Sequence, residues 1–332
     1  MAGTKGGYVA LCYHYIRPSR QNDPFPRILG TRTEEFRRHI DLCSKHYQLM
    51  SPGETLEYAH GSRRPEGGKT GLLITFDDGL SDHFGAAEIL ADLGIAAYFF
   101  LPTCICKDNL PANPTIIHYC LAIYGIEGFL GAYRNALEEC GLSLAEYDIA
   151  YERGRDDPWQ TIARIKSTVK YALGYRQTRS VLLGVYENLL LADYPNAMSI
   201  MHLTKSQISE MVEMGHSIGV HSRSHISVAA TELSDEDFAE EIIEPRRYLE
   251  DEFDMPVEAF SYPYGEARDS LPSEALLRRT ADYKLAFTVE KVLNTKKSHP
   301  LELGRYMPMS TDDSGRLCKI IEMIIAGRGE AV

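Results

Sequence analysis

The sequence has no run of about 18 consecutive apolar residues, the length a bilayer-spanning helix needs, so no membrane helix is expected. It has no surplus of positive charge. The 35 Lys and Arg are outnumbered by 47 Asp and Glu, for a net charge of −12 and a pI near 5.4. Sequence-independent nucleic-acid binding depends on clustered Lys and Arg, and docking on an anionic membrane does too, so this balance argues against both. Cysteine is sparse and odd in number: seven, at Cys12, Cys43, Cys104, Cys106, Cys120, Cys140 and Cys318. That is not a disulfide framework, and Cys104 and Cys106 stand too close for the usual zinc spacing. The N-terminal stretch has one Lys, then a mixed run containing His14 with no clear cleavage site. It makes a poor signal peptide, and a reducing, cytoplasmic setting is the expectation. There is no internal repeat, low-complexity tract or linker. What remains is 332 residues, 44% apolar and 25% charged, enough for a large core in one elaborated domain or two ordinary ones.

Short apolar runs mark strands at residues 8–15, 71–76, 95–101, 217–220, 259–262 and 285–289, with a weaker one at 303–307. Helical patterns at 31–46, 81–93, 205–214, 235–253 and 273–281 alternate with them, the rhythm of βαβ units and a parallel sheet. The run at 71–76 is apolar throughout, as a strand buried on both faces requires. The rhythm breaks after Pro102. Residues 112–196 carry only helical patterns (116–124, 129–140, 161–173 and 176–191), which predicts a helical insertion, a cap or lid, within one domain spanning 1–332.

Three segments could carry chemistry. Thr75-Phe76-Asp77-Asp78-Gly79 places adjacent carboxylates at the C-terminal end of a buried strand, the end that faces the active site in α/β sheets and barrels. Two desolvated negative charges need a cation, unless the segment is only a strand-ending turn. His221-Ser222-Arg223-Ser224-His225 follows another strand. Its two imidazoles suit a shared divalent ion, or they are satisfied core histidines. Phe260-Ser261-Tyr262-Pro263-Tyr264-Gly265 runs from a strand into a turn, which either exposes a backbone N–H as an oxyanion donor or simply ends the strand.

Together, in this order and each after a strand, TFDDG, H-S-x-x-H and the YPYG turn resemble the polysaccharide deacetylase family, the NodB homology domain of carbohydrate esterase family 4. Residues 9–16, 25–36 and 283–288, with Arg305, resemble a branch that has an N-terminal YH pair. The resemblance covers most of the chain except the insertion. It implies a distorted (β/α)7 barrel, with Asp78, His221 and His225 as ligands of a divalent metal. Zinc comes first, and Co²⁺, Ni²⁺, Mn²⁺ or Fe²⁺ are also accepted by such donors. It implies Asp77 as the general base and the backbone N–H of Tyr264 as oxyanion donor. Many members carry an Arg where this chain has Ser261; Arg305 is the candidate replacement. The family's usual acid-bearing Leu-x-x-His has no clean match, which leaves His14 or His299 as the acid. Among the 20 tyrosines, Tyr262 and Tyr264 are best placed to stack on a sugar. His83, His118, His202 and His216 read as structural.

The expected activity is metal-dependent hydrolysis of an N-acyl group, acetyl first, from an amino sugar, sugar nucleotide or glycan intermediate. The alternatives are deformylation or hydrolysis of a non-sugar amide, or a catalytically silent carbohydrate-binding barrel. The expected partner is the N-acylated sugar, with no nucleic acid and no membrane insertion.

Overall fold

The computed structural model describes residues 6–327, apart from 63–64, 66–67, 273–274 and 276–282. The expected helix at 273–281 falls almost wholly outside the described residues. The chain begins with β1 (Gly7–Tyr13), a short parallel pair β2 (Ile16–Arg17) and β3 (Thr31–Arg32), α1 (Thr33–His46), β4 (Gln48–Met50) and α2 (Pro52–Ala59). Then come β5 (Gly71–Phe76), α3 (His83–Asp92), β6 (Tyr98–Leu101) and the short α4 (Cys104–Lys107). After a helical stretch described below come α10 (Lys205–Glu213), β7 (Ser217–Val220), α11 (Asp235–Phe238), α12 (Glu244–Phe253), β8 (Ala259–Ser261), β9 (Leu285–Phe287), β10 (Asn294–Thr295) and α13 (Ser314–Ile325).

Eight strands form one curled sheet in the order β10-β1-β5-β6-β7-β8-β9, with β4 also on β5. All pairings are parallel except β1 with β10. The expected NodB-type α/β barrel is the fold observed. The weak strand at 303–307 forms only single bridges, Phe287 with Leu303 and Leu11 with Tyr306. These link the last strand back toward β1 and carry Arg305 between them.

Alternation along each strand sorts side chains to two faces. Val9, Leu11, Tyr13, Leu72, Ile74, Phe76, Ile218 and Val220 pack outward into the layer under the helices. Tyr8, Ala10, Leu73, Tyr98, Phe100, Ala259 and Phe287 form a second cluster inside the curl. Gly219 is required there, because a Cβ on it would lie 2.4 Å from the Phe100 ring. The same inward parity continues to Cys12, Thr75 and Ser261, so a polar layer caps the apolar interior at the C-terminal ends of the strands. The expected stacking residue Tyr262 has the opposite parity. It is buried against Phe260, and its hydroxyl donates to the Leu271 carbonyl at 3.2 Å, so it is not available to a sugar.

Between β6 and β7 lie α5 (Asn113–Glu139), α6 (Leu144–Tyr147), α7 (Pro158–Ser167), α8 (Tyr175–Val185) and α9 (Ala197–Met201). They share their own apolar cluster, which also takes Tyr15, Ile28 and Leu80 from barrel loops. The two patterns at 116–124 and 129–140 are two helical segments within α5, separated at Gly125, whose φ of 72° and ψ of −175° are not helical. Wide π turns at Thr168–Ala172 and Tyr186–Leu191 extend α7 and α8. Another, Ala239–Ile243, precedes Pro245, which has no N–H to continue the ladder. Among the described residues α5 alone is long and apolar enough to cross a membrane by length and composition, with mean hydropathy 1.3 over its best window, 44% of which is buried. The sequence offers no unbroken apolar run there because His118, Glu127 and several glycines interrupt it.

Candidate active site

The first motif begins where β5 ends. The Asp77 N–H still donates to the Tyr13 carbonyl at 3.0 Å. Asp78 then turns to φ 81° and Gly79 to φ 56°. A Cβ on Gly79 would meet Ile105 at 2.5 Å, so only glycine fits beside a residue already in a left-handed conformation. His202 fastens the turn from beneath, its Nδ1 3.2 Å from the Gly79 carbonyl, while its Nε2 accepts from the Ala112 N–H. This sharp reversal separates the carboxylates: Asp77 faces the barrel interior and Asp78 faces the histidines.

The second motif leaves β7 at His221. The Ser222 hydroxyl accepts from the N–H groups of His225 (3.0 Å) and Ile226 (3.3 Å), closing a turn in which Ser222 and His225 have φ 55° and 64°. Buried Glu241 accepts from the hydroxyl and N–H of Ser224 and ties the turn to the outer helices. His221 donates from Nδ1 to the Ser261 carbonyl at 2.8 Å, which leaves Nε2 as the lone-pair nitrogen.

The structure brings Asp78, His221 and His225 together, their ligand atoms all within 4.8 Å of one another. Asp78 Oδ1 lies 3.1 Å from His225 Nε2 and 3.5 Å from His221 Nε2, yet it is buried with no hydrogen-bond partner among the described residues, as is His225 Nδ1. An oxygen close to two nitrogens but bonded to neither, all three buried, fits a shared cation.

Asp77 is held differently. Arg305 donates from Nη1 to Oδ1 at 2.8 Å and from Nη2 to Oδ2 at 2.7 Å, and also to the Ser261 hydroxyl, the Thr75 hydroxyl and the Thr288 carbonyl. The Ser261 hydroxyl donates to Asp77 at 3.0 Å, and the Cys12 thiol at 3.3 Å. Burial alone would raise the Asp77 carboxyl; Arg305, then His221, outweigh it and hold the group well below the usual carboxylate range. Cys12, His14 and Asp77 also lie close enough to form a metal group. Burial pushes the Cys12 thiol well above its ordinary value, and the thiol donates to Asp77.

His14 stands at the mouth, 30% exposed, with Nε2 3.9 Å from Asp78. Its carbonyl is bonded by His83, whose own pKa burial pulls down to about 4. His299 is remote: it follows β10, which pairs with the first residues of β1, at the opposite end of the barrel. Tyr264, at φ 65°, has its ring edge-on to His225 at 4.6 Å and under the Lys170 ammonium at 3.7 Å. Lys170 comes from the π turn after α7. With Tyr171 and Ser227 it converges on buried Asp269, at 2.8, 3.2 and 2.5 Å. Sequence reasoning did not single out Cys12, Lys170 or Asp269. Only Cys12 carried a signal, lying two residues beyond inward-facing Ala10.

Residues 185–282 match the model of the family described as polysaccharide deacetylase, a span holding the second and third motifs but not the first. No curated protein is matched. Among solved structures, the Streptococcus pyogenes deacetylase PplD in complex with acetate superposes with a TM-score of 0.57 at 17% identity, covering 96% of this chain and 99% of that one. IcaB from Ammonifex degensii gives 0.55 at 16%, covering 96% and 97%. The BpsB deacetylase domain from Bordetella bronchiseptica gives 0.51 at 13%, covering 92% and 97%. The resemblance read from the motifs therefore stands: the chain has the NodB-type barrel of the polysaccharide deacetylases and carries that family's sequence signature over residues 185–282.

Proposed function

We propose that this chain removes an N-acyl group, acetyl first, from an amino sugar of a carbohydrate. One observation carries the reading: the buried Asp78, His221 and His225 cluster lies beside an ionised Asp77 that Arg305 grips with two hydrogen bonds. The family signature supports it, as do structural neighbours that are themselves named deacetylases.

A carboxylate and two imidazoles would hold a divalent cation, zinc first, with Co²⁺, Ni²⁺, Mn²⁺ or Fe²⁺ fitting the same donors. Such a cation supplies an acidified water and a polarised acyl carbonyl, chemistry that even a weakly basic carboxylate can serve. Asp77 accepts the proton of the attacking water, and Arg305, Ser261 and Cys12 fix its orientation. The backbone N–H of Tyr264 faces the developing oxyanion. His14 returns a proton to the departing amine. Water is thereby divided between the free acid and the amine as the amide C–N bond breaks, and no covalent enzyme adduct forms.

Acetate and formate release are measured over a panel of N-acylated sugars and sugar nucleotides, with and without chelator. Asp78→Ala and His221→Ala are expected to lose bound metal and activity together. Asp77→Asn should keep its metal but lose activity by about 10²-fold or more. Full turnover by a metal-free Asp78→Ala protein would overturn the mechanism. Release of formate in place of acetate would move the reading to a deformylase.

A further inference from the structure

Two side chains of the helical stretch border this site without a part in the hydrolysis. His118, on α5, has Nδ1 3.2 Å from the Tyr15 hydroxyl, and Tyr15 directly follows His14. Its Nε2 is 3.1 Å from the ammonium of Lys166, on α7. An ammonium can only donate, so Nε2 accepts and the ring's single proton sits on Nδ1, aimed at the Tyr15 oxygen. The imidazole is therefore neutral: burial, then the Lys166 charge, pushes its pKa down to about 3. The Tyr15 bond ties this pair to the residue directly after His14, which stands at the mouth with Nε2 3.9 Å from Asp78.

Lys166 differs from its neighbour Lys170. Lys170 is neutralised by buried Asp269 at 2.8 Å. Lys166 has no carboxylate within ion-pair distance among the described residues, and the neutral His118 ring is its hydrogen-bond partner there. Its side chain is exposed, while its ammonium is crowded enough by protein that desolvation lowers its pKa. A cation left uncompensated at the rim of a site, in a chain with net charge −12, is placed for a counter-charge from outside.

We propose that Lys166, held in place through His118 and Tyr15, binds an anionic group of the substrate, a carboxylate or phosphate carried on the amino sugar. This rests on the deacetylase reading for its substrate, but its test does not depend on turnover. Binding of N-acetylglucosamine, N-acetylglucosamine 1-phosphate and N-acetylglucosaminuronic acid is measured by calorimetry on the wild type, Lys166→Met, Lys166→Arg and His118→Asn. The wild type is expected to bind at least one charged sugar about tenfold more tightly than the neutral one, with the margin shrinking as salt is raised. Lys166→Met should abolish that margin, Lys166→Arg keep most of it, and His118→Asn reduce it. A margin for the phosphate alone identifies a sugar phosphate, and one for the uronate alone an acidic sugar; either supports the proposal. Equal affinity for all three sugars, or a margin unchanged in Lys166→Met, overturns it. A Lys166-dependent margin in a protein that releases no acyl group would sink the deacetylase reading and leave the anion site standing.

Discussion

Arg305 puts a guanidinium in the middle of a barrel at 1% exposure, over the Phe100 and Phe287 rings. Its cost in desolvation is offset because every neighbour within reach accepts from it: Asp77 twice, Ser261, Thr75 and Thr288. Breaking such a pair from one side leaves the other charge stranded. Arg305→Met is therefore expected to cost about 3–5 kcal/mol in urea unfolding, and to abolish activity. The double variant Arg305→Met/Asp77→Asn should recover part of that stability and none of the activity; equal instability of double and single variants would show that the loss is packing rather than stranded charge. At this scale Asp77, Asp78, His221 and His225 are legible because each sits within a few residues of its partner at a strand end. Arg305 is legible only against a family pattern. Cys12, His118 and Lys166 are not, because what makes them matter is a distance across the fold that no local pattern encodes.

The elements show how the insertion becomes part of the site. Asp269, in the turn after β8, is bonded by Lys170 and Tyr171 from the π turn following α7 and by Ser227 beyond the second motif. Lys170 also lies over the Tyr264 ring. One carboxylate thus locks three segments around Tyr264, whose left-handed backbone needs support from its surroundings. Lys170→Met is expected to lower kcat about 10- to 100-fold with little change in KM, and to speed amide exchange at residues 262–271. Unaltered exchange there would remove the clamp. Helices in this region are readable from their periodicity. So is the break at Gly125, which falls between the patterns at 116–124 and 129–140; the π turns are not, because the same apolar spacing is compatible with a regular helix. His216 illustrates a structural histidine between elements: its Nδ1 accepts from the Ala97 N–H ahead of β6, and its Nε2 donates to the Ala87 carbonyl of α3. Burial, opposed by that Ala87 bond, lowers its pKa from the ordinary 6.5. The unfolded chain then takes up the proton first as pH falls, so the stability His216 contributes is full above about pH 6.5 and is lost toward its lower folded value. His216→Asn should flatten the stability profile between about pH 7 and 5, read from thermal unfolding at each pH.

For the whole molecule, the places of the main strands along the chain and the βαβ rhythm are legible because each strand must be apolar on both faces. The closure of the curl is only faintly legible: the segment carrying Arg305 reads as the weak strand at 303–307, and it completes the curl through just two single bridges. That closure has a thermodynamic consequence. Asp78 follows β5, while His221 and His225 follow β7, with β6 between them in the sheet. A cation held by all three would join loops on either side of a strand, and these donors converge only in the folded chain. Ligand binding to the native state alone stabilises by RT ln(1 + [L]/Kd), about 2.7 kcal/mol when free ligand is 100 times Kd. Zinc added to chelator-treated protein is therefore expected to raise the melting temperature progressively with concentration. Asp78→Asn and His221→Ala should show little of that rise, whereas Asp77→Asn, which leaves the three donors in place, should keep most of it. If Asp77→Asn lost the zinc-dependent rise as completely as Asp78→Asn, both carboxylates would be ligands, and the base would have to come from elsewhere in the site.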